Sequence, residues 1–136
     1  MKRQLKFKRY FFKDKECKEY SHFEKWGIDE ENNSFNTGCL IDTNELAPYY
    51  TDAQYTNIND DYIDELYEYD IIEVPAHYEG SSWVMEYKAV ILFEDGCYIF
   101  REISKYDGHL YESELNSCTV INLNLKKIGH IFEQKN

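Results

Sequence analysis

The sequence predicts a mainly β protein: a small barrel or sandwich of antiparallel strands carrying one or two short helical turns. Three observations lead there. Leu5, Phe7, Arg9 and Phe11 alternate with Lys6, Lys8, Tyr10 and Phe12, which is the period of a strand. The run Ala89-Val90-Ile91-Leu92-Phe93-Glu94 is apolar and β-branched, and Asp95-Gly96 turns it back into Cys97-Tyr98-Ile99-Phe100-Arg101. Asp-Gly suits a type I′ turn, because both central residues need a positive φ. Finally, 17% of residues are aromatic, 13 of them tyrosines, and these favour a pleated, half-buried surface.

The elements follow in order. After the first strand, Lys13-Asp14-Lys15-Glu16 reads as a turn, and Cys17 to Trp26 returns as its partner. Gly27 to Thr37 holds three asparagines and no apolar period, so it reads as a loop. Asn59-Asp60-Asp61 has the side chains of a helix cap, with Ile63, Leu66 and Tyr67 on one helical face. Tyr69 to Val74 is a strand closed by Pro75. Leu110 to Asn116 reads as a helical turn or two. Thr119 to Leu123 and Ile128 to Phe132 read as short strands. With two prolines and six glycines, the chain has no linker. Its 136 residues are read as a single domain: 1–47 an N-terminal hairpin and loop region, 48–136 a barrel-like core.

Charge narrows the function classes. The formal charge is −11, unevenly spread. The first 25 residues carry nine bases and four acids, whereas Trp26 to Tyr87 carry 15 acids and no base across 62 residues. A general nucleic-acid coat protein is excluded, because phosphate neutralisation needs excess cations. No apolar run approaches the roughly 20 residues of a membrane span. Met1-Lys2-Arg3 is followed by alternating residues rather than an apolar run, which reads as a chain without a signal peptide, hence cytoplasmic. The four cysteines, 17, 39, 97 and 118, make no CxxC pair and read as reduced, mostly semi-buried residues.

Catalytic signatures are scarce. The chain has no GxSxG, P-loop, GxGxxG or HExxH pattern, and its histidines, at 22, 77, 109 and 130, lack ligand spacing. The acids Asp60, Asp61, Asp64, Glu65, Glu68 and Asp70 fail the calcium-loop pattern, which puts Gly where Glu65 stands and Glu where Ile71 stands. They are read as a solvated acidic face and a candidate interface. Asp70 with Glu86-Tyr87-Lys88 faintly resembles the carboxylates and lysine with which nucleases hold a divalent metal. No basic surface flanks it to receive DNA. The chain is therefore read as a non-enzyme with no cofactor and no metal. Lys2, Arg3, Lys6, Lys8, Arg9, Lys13 and Lys15 interleave with Tyr10, Phe11 and Phe12, a mixture able to grip single-stranded nucleic acid. The favoured reading of that stretch is a core strand with a charged outer face.

Gln54-Tyr55-Thr56 through Leu66-Tyr67-Glu68-Tyr69-Asp70-Ile71-Ile72 resembles the hallmark of the YopX family of phage and prophage proteins, roughly Q-Y-T-G-L followed by I-Y-E-G-D-I-V, with matching spacing. Leu5-Lys6-Phe7-Lys8 is similar to that family's opening I-K-F-R. The hairpin from Val90 to Phe100, with Glu94-Asp95-Gly96, is similar to its second block, and Ile128 to Glu133 to its closing I-G-N-I-Y-E. The family's three glycines in the first block stand here as Asn57, Ile63 and Tyr69. Asn57 tolerates a left-handed backbone. Ile63 does so only at a steric cost, so a short helical turn at 60–67 competes with the family's tight turn. The resemblance implies a divergent member, a small SH3-like barrel and a bacterial-cytoplasm setting. It implies no activity.

The functional expectation is a non-enzymatic accessory protein that binds proteins. Its partners would be copies of itself, with the basic end of one meeting the acidic middle of another, and a host protein. Nucleic acid and membrane are not expected partners. The alternatives are an acidic DNA mimic that blocks a host DNA-binding protein, and a single-strand binder using the basic N-terminal strand.

Overall fold

The computed structural model describes residues 5–29, 34–36, 47–103 and 111–133. The protein is mainly β, built from antiparallel sheets, one of them curled into half a barrel, with one short α-helix among the described residues. It forms two compact units, Met1–Asn57 and Ile58–Asn136.

In the first unit, β1 (Leu5–Phe12), β2 (Tyr20–Asp29), β3 (Ser34–Asn36) and β4 (Tyr49–Asn59, which runs on into the second unit) stand in the order β3-β2-β1-β4. β1 forms where the alternation places a strand, but its burial does not alternate: Leu5 to Phe7 are partly buried and Lys8 to Phe12 are all buried. The turn after it is held by Asp14, whose carboxylate accepts the N–H groups of Lys18 and Glu19 at 2.9 and 2.8 Å. The side chain thus supplies acceptors that a turn backbone lacks. Gly27 faces Lys6 across the ladder, and a Cβ there would lie 2.2 Å from the Leu5 carbonyl oxygen. The strands approach too closely at this point for any other residue.

The second unit contains β5 (Glu65–Tyr67), β6 (Asp70–Val74), the ribbon β7 (His77–Glu79) and β8 (Ser82–Val84), then β9 (Tyr87–Glu94), β10 (Cys97–Glu102), β11 (Glu112–Glu114), α1 (Ser117–Leu123) and β12 (Lys126–His130), ending in a 3-10 turn, Ile131–Glu133. Its main sheet has the order β11-β10-β9-β6-β12. Leu66, Ile72, Val74, Ala89, Ile91, Phe100, Leu115, Val120 and Leu125 form one buried cluster. The β9–β10 hairpin matches the sequence reading, and Asp95 and Gly96 take φ of 51° and 81°, both positive as a type I′ turn demands. Arg101 pairs with Glu94 and Glu112 and so ties β9, β10 and β11 together on their exposed side.

Several expectations are corrected. Residues 27–29 and 34–36 are paired strands, not loop. The expected helical turns at 110–116 give way to β11, with Asn116 as the cap of α1; Leu110 lies outside the described residues. Thr119 to Leu123, read as a strand, is helical. Its β-branched residues favour strands, but Asn116 Oδ1 accepts the Thr119 N–H at 2.9 Å and Thr119 Oγ1 accepts the Asn116 N–H at 3.0 Å. This reciprocal box satisfies two donors that the helix start would otherwise leave unpaired. Residues 60–64 form a tight turn, not a helix. The eleven-residue β4 was not anticipated as a strand.

Candidate functional site

The six candidate acids separate into two kinds. Asp60 is buried and organises the turn that follows it. Its Oδ1 accepts the N–H groups of Tyr62 (2.9 Å) and Asp64 (2.8 Å), and its Oδ2 accepts the N–H of Lys127 (2.8 Å). Asp70 is fully buried. Its Oδ2 accepts the Tyr67 N–H at 2.7 Å and lies 3.3 Å from the Lys127 ammonium. That ammonium also donates to the Glu65 carbonyl at 3.3 Å and lies 5.9 Å from the centre of the Tyr67 ring. Lys127 therefore serves both buried acids, one through its backbone and one through its side chain. Asp61 and Asp64 are exposed, while Glu65 and Glu68 are partly buried. The Glu65 carboxylate accepts the Tyr67 hydroxyl at 3.3 Å, and Glu68, after burial, holds the Tyr69 phenol above its ordinary pKa. A single solvated acidic face is thus corrected: Asp60 and Asp70 point inward, because the turns need their oxygens as acceptors.

Around these acids the backbone adopts unusual conformations. Asn57, Ile63 and Tyr69 have φ of 65°, 69° and 73°. For Ile63 this is a steric outlier. The turn enforces it: the Asp60 carbonyl accepts the Ile63 N–H at 3.1 Å, the Asp64 carbonyl accepts the Asp60 N–H at 2.8 Å, and the Leu125 carbonyl accepts the Asp61 N–H at 3.1 Å. Tyr69 is held likewise. Its N–H donates to Ile91, its carbonyl accepts from Ile131, and its ring packs against Phe132 at 5.5 Å.

The nuclease-like trio is not brought together. Lys88 pairs with Glu73, three positions along β6 from Asp70, so the two lie on opposite faces. Asp70 is already engaged by Lys127. Among the described residues no group of three His, Cys, Asp or Glu side chains stands close enough to hold a metal ion. His22 stacks on Phe11, His77 lies 2.8 Å from the Pro75 carbonyl, and His130 lies 2.7 Å from Glu133. His109 and Cys39 fall outside the described residues. Cys17 is partly buried as expected, whereas Cys97 and Cys118 are exposed.

Two cations of the basic strand, Lys8 and Arg9, are buried rather than set on an outer face. The Arg9 guanidinium forks onto Asp52 at 2.7 and 2.8 Å and lies 3.8 Å from the centre of the Tyr50 ring. Lys8 lies over Phe23 and Lys6 over Tyr55. Phe7 stacks on Trp26 at 4.2 Å. These cations and rings stabilise the sheet through charge-assisted bonds and cation–π contacts.

Sequence reasoning missed the exposed apolar groups of the second unit. The β7–β8 ribbon carries Tyr78 and Trp83 edge to face, 4.7 Å between ring centres, with exposures of 70% and 52% and an exposed Met85 beside them. The aromatic Tyr78 and Trp83 flanking Gly80-Ser81 were the available signal. At the 60–64 turn, Tyr62 and Ile63 are 61% and 81% exposed. No described helix is long and apolar enough to cross a membrane.

A scan against models of protein families finds no match for the chain, and a search of curated proteins finds none either.

Proposed function

We propose that the chain is a divergent relative of the YopX family of phage and prophage proteins, acting in the bacterial cytoplasm as a non-enzymatic module that binds proteins, copies of itself among them. The observation that carries the binding role is the exposed Tyr78–Trp83 pair on the β7–β8 ribbon. An isolated two-stranded ribbon is marginally stable in water. One that keeps two large rings in solvent is suited to contact, since Tyr, Trp and Met are enriched at interfaces. The family reading is supported by backbone geometry. The three positions where the family's pattern has glycine are occupied here by Asn57, Ile63 and Tyr69, each with a positive φ.

The test is mass in solution at several ionic strengths. Self-association aided by segregated charge gives a multimer that weakens as salt rises. A monomer at every ionic strength overturns the self-association. The DNA-mimic reading draws on the 62 residues without a base and on the exposed Asp61 and Asp64. The single-strand reading draws on Lys13 and Lys15, which are exposed. Arg9 supports it little, because Asp52 already occupies its fork.

A further inference from the structure

We propose that His77, Glu79, Tyr87, Glu102 and Tyr111, gathered at one end of the second unit's main sheet, form a binding site for an organic cation that carries N–H donors, an alkylammonium or a guanidinium. The site is separate from the exposed aromatic pair: His77 and Glu79 stand on the opposite face of the β7–β8 ribbon from Tyr78 and Trp83.

The topology assembles the cluster. Tyr87 opens β9, and the ribbon that precedes it in the chain delivers His77 and Glu79. Glu102 stands opposite Ala89, two residues along β9 from Tyr87, so the Glu102 and Tyr87 side chains share a face. Glu102 and Tyr111 are tied together twice. The Glu102 N–H donates to the Tyr111 carbonyl at 2.8 Å, and Glu102 Oε2 accepts the Tyr111 N–H at 3.1 Å. The Tyr111 ring stacks on the Tyr87 ring, 5.4 Å between centres. After burial, Glu79 and Glu102 both help to push the Tyr87 phenol up, so the two carboxylates lie within electrostatic reach of one ring.

The cluster is rich in acceptors and short of cations. Glu102 is 9% exposed, and a carboxylate that far from water is normally paired. Among the described residues its hydrogen-bond partner is the Tyr111 N–H, and neither Glu79 nor Glu102 meets a Lys or Arg within ion-pair distance. Lys88, next to Tyr87 in the chain, belongs to the other face of β9, opposite Glu73. His77 adds a third acceptor. Its Nδ1 lies 2.8 Å from the Pro75 carbonyl, so that nitrogen carries the proton of the neutral ring. Nε2 is then a lone pair. It is buried, has no hydrogen-bond partner among the described residues and lies 3.9 Å from Glu79 Oε1, acceptor facing acceptor.

These features select the ligand. No three His, Cys, Asp or Glu side chains among the described residues stand close enough to hold a metal ion. An ammonium brings three N–H donors and a guanidinium five, and neither brings an acceptor. The stacked phenol rings suit a cation on a carbon stem, because a ring face attracts the charge while the stem packs against it. Tyr111 is 40% exposed and the Glu79 side chain 63%, so the cluster is reached from their side.

The experiment titrates the full chain with n-butylammonium and with N-ethylguanidinium, following the His77 ring nitrogens and the Glu102 and Tyr111 amides by NMR. Both cations should shift these signals saturably. Tetramethylammonium, a cation without N–H, should bind about tenfold more weakly or worse. Glu79→Gln and Glu102→Gln should each weaken butylammonium binding about tenfold, since each removes a charge and keeps an acceptor oxygen. Asp61→Asn/Asp64→Asn removes twice the charge elsewhere and should leave the binding unchanged. Gly-Ser peptides bearing a single lysine or arginine give the source of the cation: tighter binding than the free amine assigns a side chain of a partner protein, and no gain assigns a small amine. Absence of a saturable shift with both N–H cations overturns the proposal, and so does equal binding of tetramethylammonium. A loss in Asp61→Asn/Asp64→Asn as large as in Glu79→Gln reduces the effect to net charge and overturns it as well. Glu79 is exposed, so its variant tests the site even where Glu102→Gln fails to fold.

Discussion

The ammonium of Lys127 lies 3.3 Å from the carboxylate of Asp70, which has no solvent exposure, while the backbone N–H of the same lysine donates to Asp60. One residue of β12 thereby fastens the two ends of the 60–70 segment. Removing the ammonium leaves a buried carboxylate with a lost partner, and breaking a buried pair costs about 3–5 kcal/mol. Lys127 is partly exposed, so Lys127→Met is expected near the lower end of that range, seen as a lower denaturant midpoint. Adding Asp70→Asn should recover part of the loss, because the uncompensated charge is then gone. A double variant no more stable than Lys127→Met would show that the charge pair is not what holds the segment.

Arg9 is expected to resist replacement even by lysine. Its guanidinium makes two bonds to Asp52 and covers the Tyr50 ring, geometry that a point-charge ammonium cannot reproduce. Arg9→Lys should destabilise the chain by about 1–2 kcal/mol in equilibrium unfolding. A loss indistinguishable from zero would mean that the fork contributes no more than an exposed ion pair.

Gly27 has no room for a methyl group. A Cβ at this position meets the Leu5 carbonyl oxygen at 2.2 Å and the Lys6 Cα at 2.9 Å, both backbone atoms that move only with their strand. Gly27→Ala should cost about 1–3 kcal/mol, with hydrogen exchange in β1 and β2 speeding up. Gly80→Ala makes a useful contrast: nothing lies within 4 Å of its added carbon, so any cost comes from its φ of 60° alone. Protection in β1 and β2 that survives Gly27→Ala would show that the strands have slack.

Tyr87 predicts an alkaline limit to stability. Burial first, then Glu79, Glu102 and the stacked Tyr111, push its phenol up to about 12 from 10.0. The unfolded chain loses that proton near pH 10 and the folded chain keeps it. This contribution is therefore present below pH 10 and is lost as pH rises through about 12. Denaturant midpoints measured across this range should fall more steeply for the wild type than for Tyr87→Phe. Parallel curves would show that the phenol is not held protonated by the fold.

The elements legible in the sequence share one property: their residues interact with near neighbours along the chain. The strand β1 and the β9–β10 hairpin could be read because strand propensity and turn chemistry are local. The helix α1 was misread for an instructive reason. Thr119, Val120 and Ile121 favour strands by propensity, yet the Asn116–Thr119 box that overrides them was present in the letters. The strand β4 escaped notice because its pairing partner, β1, lies far back in the chain, from Phe12 opposite Tyr49 to Phe7 opposite Gln54.

By itself the sequence determined the β class, the central hairpin, the basic first strand and the acidic middle. The tertiary structure alone decided which charges reach water. Asp60 and Asp70 were acids like their neighbours until β12 placed Lys127 between them, and Arg9 was a surface cation until β4 brought Asp52 across. It also decided that Ile63 occupies a glycine-like backbone, because the acceptors that enforce that turn include the distant Leu125 carbonyl. Burial and strain depend on groups far apart in the chain, and composition and period carry no record of those meetings.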